Sequence, residues 1–334
     1  MRAAVVAGLG SWLPPRVVTN DELIARLDTT DEWIRSRIGV VTRHVIEPGA
    51  ATSDLSVEAA RRALRSAGVP GVGGVILATT TPDRPCPATA PEIASRLGLI
   101  DVPAFDIAAV CTGFVYGLGV GAGLITAGIA DSLLVVGGDA YSTILNPQDR
   151  TTSVIFGDGA GAVVLRAGSP DEPGALGPFD LGSDGRLADL ITVRAGGSRQ
   201  RSSRDVVPPP GDEFFQMEGR QVFANAVARM SEASRNAVKR QGWAASEVDR
   251  VIAHQANVRI LDAVSAELDV PRDRFVSNIT DVGNTSAASI PLALAHGVRT
   301  GELRAGQKVL LTAFGGGLTW GATTLVWPEL SLAE

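Results

Sequence analysis

The 334-residue chain has two cysteines, Cys86 and Cys111, and three histidines, His44, His254 and His296, for thiol or imidazole chemistry. Cys111 follows an apolar run, 104–108, and precedes an uncharged stretch that reads as a helix from about Gly113. A thiol at a helix start faces unpaired N–H groups and the positive end of the helix dipole. Both would lower its pKa from about 8.5 and favour the thiolate. The same pattern fits a buried structural cysteine. His254 ends the apolar run 251–253 and suits a base, a hydrogen-bond donor or a satisfied core group. Asn284 lies in a turn before a small-residue helix, where it could face a ligand or cap the helix. Gly315-Gly316-Gly317 could bring backbone N–H groups to a ligand or make a tight turn.

Other chemistries lack their residues. Two cysteines cannot build a disulfide framework or a cysteine zinc site, so no metal is expected. Gly8-Leu9-Gly10 has no third glycine in register, and Gly157-Asp158-Gly159 has no Lys-Ser/Thr after it. No nucleotide cofactor is therefore expected. His44 and His296 have no motif around them. A net charge of −6 argues against a broad nucleic-acid footprint. Residues 107–130 carry no charge and are long enough to span a bilayer. They include six glycines and are bracketed by Asp106 and Asp131, so they read as a buried strand and a buried helix. The N-terminus enters a probable strand with no signal-peptide pattern, and a cytoplasmic protein is expected.

These side chains must be positioned by alternating strands and helices. Apolar runs at 4–8, 74–79, 104–108 and 133–137 predict strands in the first half, with 251–254 and 309–313 in the second. Several are continuous Val/Ile/Leu runs, as in strands covered on both faces. Helices are predicted over 54–67, closed by Gly68 and Pro70, and over 219–240. Thr19…Glu22 and Thr29…Glu32 both fit capping boxes. Such alternation gives an α/β layered fold. With 45% hydrophobic residues, 5% aromatics and 38 glycines, the core must pack through small side chains. A strand, a glycine-rich turn and a small-residue strand occur twice, at 133–165 and 309–326. The chain therefore reads as two similar halves, 1–170 and 171–334. The polar run 196–212, with Arg199, Arg201, Arg204 and Pro208-Pro209-Pro210, reads as a mobile surface loop.

Together these segments resemble the thiolase superfamily, and more narrowly the β-ketoacyl-acyl-carrier-protein synthase III family, which starts fatty-acid synthesis. The likeness runs through 28–34, 106–114, 156–162, 254–257, 283–289 and 313–321, in order along nearly the whole chain. It implies a duplicated five-layered α/β/α/β/α fold, a homodimer, acyl-CoA and acyl carrier protein as partners, and no cofactor. By resemblance, Cys111, His254 and Asn284 form a Cys-His-Asn triad. The N–H groups of Cys111 and Gly316 form an oxyanion hole. Thr29, Trp33, Arg37, Arg150, Gly219, Phe223, Asn257 and Arg259 match positions that bind CoA or its pantetheine arm. Phe314 matches a residue that keeps the pocket dry. Cys86 matches the residue that closes the partner subunit's acyl pocket.

Arg259 also matches the family's basic patch for the acidic carrier protein, but the chain departs from the pattern at Ala224, where a Lys commonly helps dock it; nearby arginines, including Arg220, are the candidate substitutes. A degradative thiolase would need a second cysteine where Phe314 stands. A chain-elongating synthase would need a second catalytic histidine. A starter-unit ketosynthase or acyltransferase of secondary metabolism retains the same triad. A non-catalytic partner subunit would generally lack the nucleophile.

Overall fold

The computed structural model describes residues 2–203 and 207–333. Arg204, read from the sequence as part of a surface loop, lies outside the described residues, as do Met1 and the last residue. Two sheets carry the core. In the first, the strand order is Ala3–Trp12, Gly159–Gly168, Ser132–Asp139, Val75–Ala78 and Ala104–Ile107. The last three run parallel, and the other pairings are antiparallel. The second sheet runs Asp180–Ser183, Thr319–Val326, Lys308–Gly315 and Arg250–Ala253. Its pairings repeat the same sequence of directions, and a parallel bridge from Val251 to Phe275 stands where the first sheet has its fifth strand.

Helices make the other three layers. Thr52–Ser66 covers the outer face of the first sheet, and Gly219–Arg240 covers that of the second. Between the sheets lie Gly113–Thr126 and Ser289–Thr300, each touching strands of both. The result is a duplicated α/β/α/β/α fold. The uncharged run 107–130 is explained by this position. Its helix has Phe114, Val115, Leu118 and Ile125 at 0–1% exposure, because a sheet lies on either side. Burying each such side chain contributes about 1.5–3 kcal/mol. No helix among the described residues is long and apolar enough to cross a membrane.

Gly8 and Gly10 serve packing. A Cβ at either position would strike the backbone of the helix Thr52–Ser66 at Ala63 or Ala59, so these glycines let strand and helix approach closely. Helix limits differ modestly from the sequence reading. The helix expected over 54–67 begins at Thr52, and Gly68 follows with φ +66°. Thr19 makes the expected reciprocal capping box with Glu22. The second box does not form. Thr30, not Thr29, caps Asp31–Arg37 by accepting from the Trp33 N–H, so Glu32 is one residue out of register. The polar run 196–212 is not wholly loop, since Ser198–Ser202 forms a short helix.

Candidate active site

Two similar turns meet between the sheets. After the strand Ala104–Ile107, Val110 takes a left-handed conformation with φ +46°. A single 3-10 turn, Val110–Thr112, then leads into Gly113–Thr126. In the other half Ser286 has φ +50° and opens the turn Ser286–Ala288 ahead of Ser289–Thr300. Left-handed backbone at β-branched Val110 costs roughly 1–3 kcal/mol, a strain that persists only where surroundings enforce it. The cysteine thiol ends up against the opposing turn, with Sγ donating to Ser286 Oγ at 3.6 Å.

Cys111 is 8% exposed. Burial pushes its thiol up to about 12; the contact with Ser286 lowers it in part, and the Asp139 charge adds to the rise. The direction is opposite to the depression expected at a helix start, and its largest cause is burial. Asp139 itself is fully buried. It accepts from the N–H groups of Thr80 at 2.7 Å and Ala287 at 2.9 Å, and from the Thr79 hydroxyl at 3.1 Å. Burial raises its carboxyl to about 6.

His254 extends the strand Arg250–Ala253, donating its N–H to Thr312 O at 2.8 Å. Its Nδ1 lies 2.7 Å from Ser289 Oγ. Burial lowers the imidazole to about 3, so it is neutral near pH 7. Where Ser289 donates to Nδ1, the ring proton sits on Nε2, the nitrogen left for a ligand; with the opposite direction Nε2 would be an acceptor. Asn284 is held by its backbone, which bonds Ile155 O and the Gly157 N–H. Its Oδ1 accepts from the Ser286 N–H at 2.9 Å, leaving the amide NH₂ as the free donor.

Cys111, His254, Asn284 and Phe314 line one cavity of about 690 Å³. So do Trp33, Arg37, Gly219, Phe223, Asn257 and Arg259. Trp33, Arg37, Arg220 and Arg259 are exposed and mark the mouth. Arg259 stands 5.8 Å from the Phe223 ring centroid. Asn257 also caps the helix Val258–Leu268 through the Ile260 N–H.

Four expected positions lie off the cavity wall. Thr29 is spent in the turn before the helix Asp31–Arg37, its N–H donating to Leu27 O. Arg150 donates to Asp28 O at 2.7 Å, and its neighbour Thr151 takes the wall position. Gly316 packs on Val110 and Ile191, while Gly315 lines the cavity beside the Cys111 N–H. Cys86 is exposed and stands outside its own chain's cavity.

Sequence reasoning overlooked Ser286 and Ser289, although both lie in the stretch that singled out Asn284. It also overlooked Asp139 and the wall residues Tyr141 and Phe215. Serine and a strand-end aspartate carry no motif of their own. Among the described residues, no three His, Cys, Asp or Glu side chains gather as a metal site.

A five-layered duplicated fold with Cys, His and Asn converging from two halves defines a condensing enzyme of the thiolase class. Two family descriptions match: 3-oxoacyl-[acyl-carrier-protein] synthase III over residues 105–185, and its C-terminal part over 238–327. The β-ketoacyl-[acyl-carrier-protein] synthase III 3 of Streptomyces coelicolor is 59% identical, covering 98% of each chain. The crystal structure of 3-oxoacyl-(acyl carrier protein) synthase III from Pseudomonas aeruginosa is similar at TM-score 0.93 and 52% identity, covering 98% of this chain and 99% of that one. The priming β-ketosynthase of the R1128 polyketide pathway is similar at TM-score 0.91 and 34% identity, covering 99% and 98%. The chain belongs to the β-ketoacyl-acyl-carrier-protein synthase III family.

Proposed function

We propose that this enzyme condenses an acyl-CoA primer with malonyl-acyl-carrier protein to give 3-oxoacyl-acyl-carrier protein, initiating fatty-acid synthesis. The observation that carries the reading is the convergence of Cys111, His254 and Asn284 on one cavity, with Nδ1 of His254 and Oδ1 of Asn284 engaged by serines of the same turn and helix start.

In the first step Cys111 Sγ attacks the thioester carbonyl, the carbon–sulfur bond to CoA breaks, and the thiol proton leaves with CoA. The raised thiol makes resting thiolate scarce, so proton loss accompanies attack. The N–H groups of Cys111 and Gly316 hold the tetrahedral oxyanion, the Gly316 N–H belonging to the peptide that joins it to the wall residue Gly315. In the second step the malonyl carbon–carboxylate bond breaks and CO₂ leaves. Neutral His254 and Asn284 donate to the thioester oxygen and stabilise the enolate. The enolate carbon then attacks the acyl-Cys111 carbonyl, and the sulfur departs. Phe314 keeps the pocket apolar, which favours loss of charge from the carboxylate.

Trp33, Arg37 and Arg259 grip CoA at the mouth, and Arg220 with Arg259 offers the acidic carrier a basic rim. No cofactor is needed, and both substrates place the reaction in the cytoplasm. The halves 1–170 and 171–334 each supply part of the triad. A homodimer forms through the strand Ala104–Ile107, which is the last of its sheet. In that dimer Cys86 closes the partner's acyl pocket. A starter-unit ketosynthase is the second reading, favoured by similarity to the R1128 priming enzyme.

The test incubates the protein with a panel of acyl-CoAs and malonyl-carrier protein, then identifies acyl-enzyme and product by mass spectrometry. Acyl mass on Cys111 and a 3-oxoacyl product support the reading. His254→Ala should still load acyl groups but lose condensation by about 10²–10³-fold. Acyl mass on Cys86, or decarboxylation that persists in His254→Ala while loading stops, overturns it.

A further inference from the structure

One residue of the cavity wall carries a buried polar group without a hydrogen-bond partner. Tyr141 lines the same cavity as Cys111 and is 0% exposed. Its ring stacks on Phe156, with centroids 4.4 Å apart and planes inclined by 13°. It meets Phe215 edge-on at 5.2 Å. Its hydroxyl is buried without a hydrogen-bond partner. Among the described side chains with such an orphaned atom, Tyr141 alone belongs to this wall. Phenylalanine would complete the aromatic cluster without stranding a buried O–H, so packing does not explain tyrosine here. Burial holds the phenol well above its ordinary pKa, with Cys111 and Asp139 adding to the rise, so it is neutral and can donate or accept.

We propose that Tyr141 selects an acyl primer carrying a neutral oxygen on its chain, a hydroxyacyl or oxoacyl group whose oxygen pairs with the phenol hydroxyl. This rests on the acyl-CoA reading and names its substrate class. A hydrocarbon primer would leave the hydroxyl orphaned. A charged carboxylate does not fit, because the wall's cations, Arg37, Arg220 and Arg259, are all exposed. The Tyr141 side chain is surrounded instead by Phe156 and Phe215, and buried Asp139 would repel an anion. Pockets that hydrogen-bond a substrate oxygen reject analogues lacking it far more strongly than apolar pockets count methylenes.

The experiment compares butyryl-CoA with its 2-, 3- and 4-hydroxy and 3-oxo derivatives. It measures initial rates of acyl-Cys111 formation by mass spectrometry, for the wild type and Tyr141→Phe. At least one oxygenated primer should load about tenfold or more faster than butyryl-CoA. That ratio should fall to about one in Tyr141→Phe, with butyryl loading improved. The proposal is overturned if the wild type loads butyryl as well as every oxygenated primer, or if the ratio survives in the variant. The wild-type panel alone can overturn it, whatever the variant's folding. Butyryl loading without oxygenated preference sinks this proposal and leaves the acyl-CoA reading intact; no acyl-enzyme from any primer sinks both.

Discussion

Ser289, the first residue of its helix, puts its hydroxyl 2.7 Å from Nδ1 of His254, 35 positions earlier in the chain. That contact fixes the ring and directs the remaining nitrogen to the cavity. Ser289→Ala should leave acyl loading of Cys111 nearly unchanged. It should cut condensation about 3–10-fold, the worth of one neutral hydrogen bond of about 0.5–1.5 kcal/mol. Ser289→Thr should restore part of the loss. Equal damage to both half-reactions would show a general structural role instead.

The buried thiol sets a pH signature. With Cys111 pushed up to about 12, the thiolate fraction of the free enzyme keeps rising through the alkaline range. Iodoacetamide alkylation should therefore accelerate about tenfold per pH unit from about pH 7 to 9.5, because the thiolate is the nucleophile. A plateau below about pH 8.5 would mean that the helix terminus outweighs burial after all.

Gly315 leaves no room for a side chain. An added Cβ would lie 2.8 Å from the Cys111 nitrogen and 3.0 Å from that of Thr112. Those are backbone atoms at the start of the nucleophile's turn and cannot swing aside. Gly315→Ala should slow acylation by about 10²-fold, the usual result of misplacing reacting groups by about 1 Å. Wild-type loading kinetics in the variant would show that the two turns can separate without consequence.

At the mouth, Trp33 faces the cavity while Arg150 is engaged with Asp28. Trp33→Ala should raise the KM for acyl-CoA about 2–30-fold, matching a stacking contact of about 0.5–2 kcal/mol. It should hardly alter the KM for acyl-pantetheine, which has no nucleotide. Arg150→Ala should do less to either. An Arg150→Ala effect on acyl-CoA larger than that of Trp33→Ala would return this arginine to the nucleotide site.

Cys86 is exposed in the single chain, as the role proposed for it in a partner's pocket requires. Cys86→Phe should move the primer optimum of the dimer toward acetyl-CoA, since each buried CH₂ is worth about 0.8 kcal/mol only while the pocket can hold it. An unchanged chain-length profile in a properly dimeric variant would remove Cys86 from the acyl pocket.

Much of this enzyme is legible in its sequence. Apolar runs mark the strands because backbone pairing and two-sided burial demand Val, Ile and Leu, and the helix 219–240 has the expected limits. Cys111, His254 and Asn284 each follow or open an element, but local pattern fits a structural role for each as well, and it is the ordered set of motifs resembling the family that singles them out. The repeated strand, turn and strand show the duplication. Tertiary structure decided what no local pattern contains. Ser286 reaches Cys111 across 175 residues, and only the meeting of two sheets brings their turns together. The helix start at Cys111 is a local feature; its desolvation comes from the opposing half, and this reverses the sign of the thiol's shift. Thr30 displaces Thr29 as the cap because one residue of register alters which hydroxyl reaches the first free N–H. Tyr141 is one of two tyrosines in the sequence, and only the fold places its ring against Phe156 and Phe215 and leaves its buried hydroxyl without a partner.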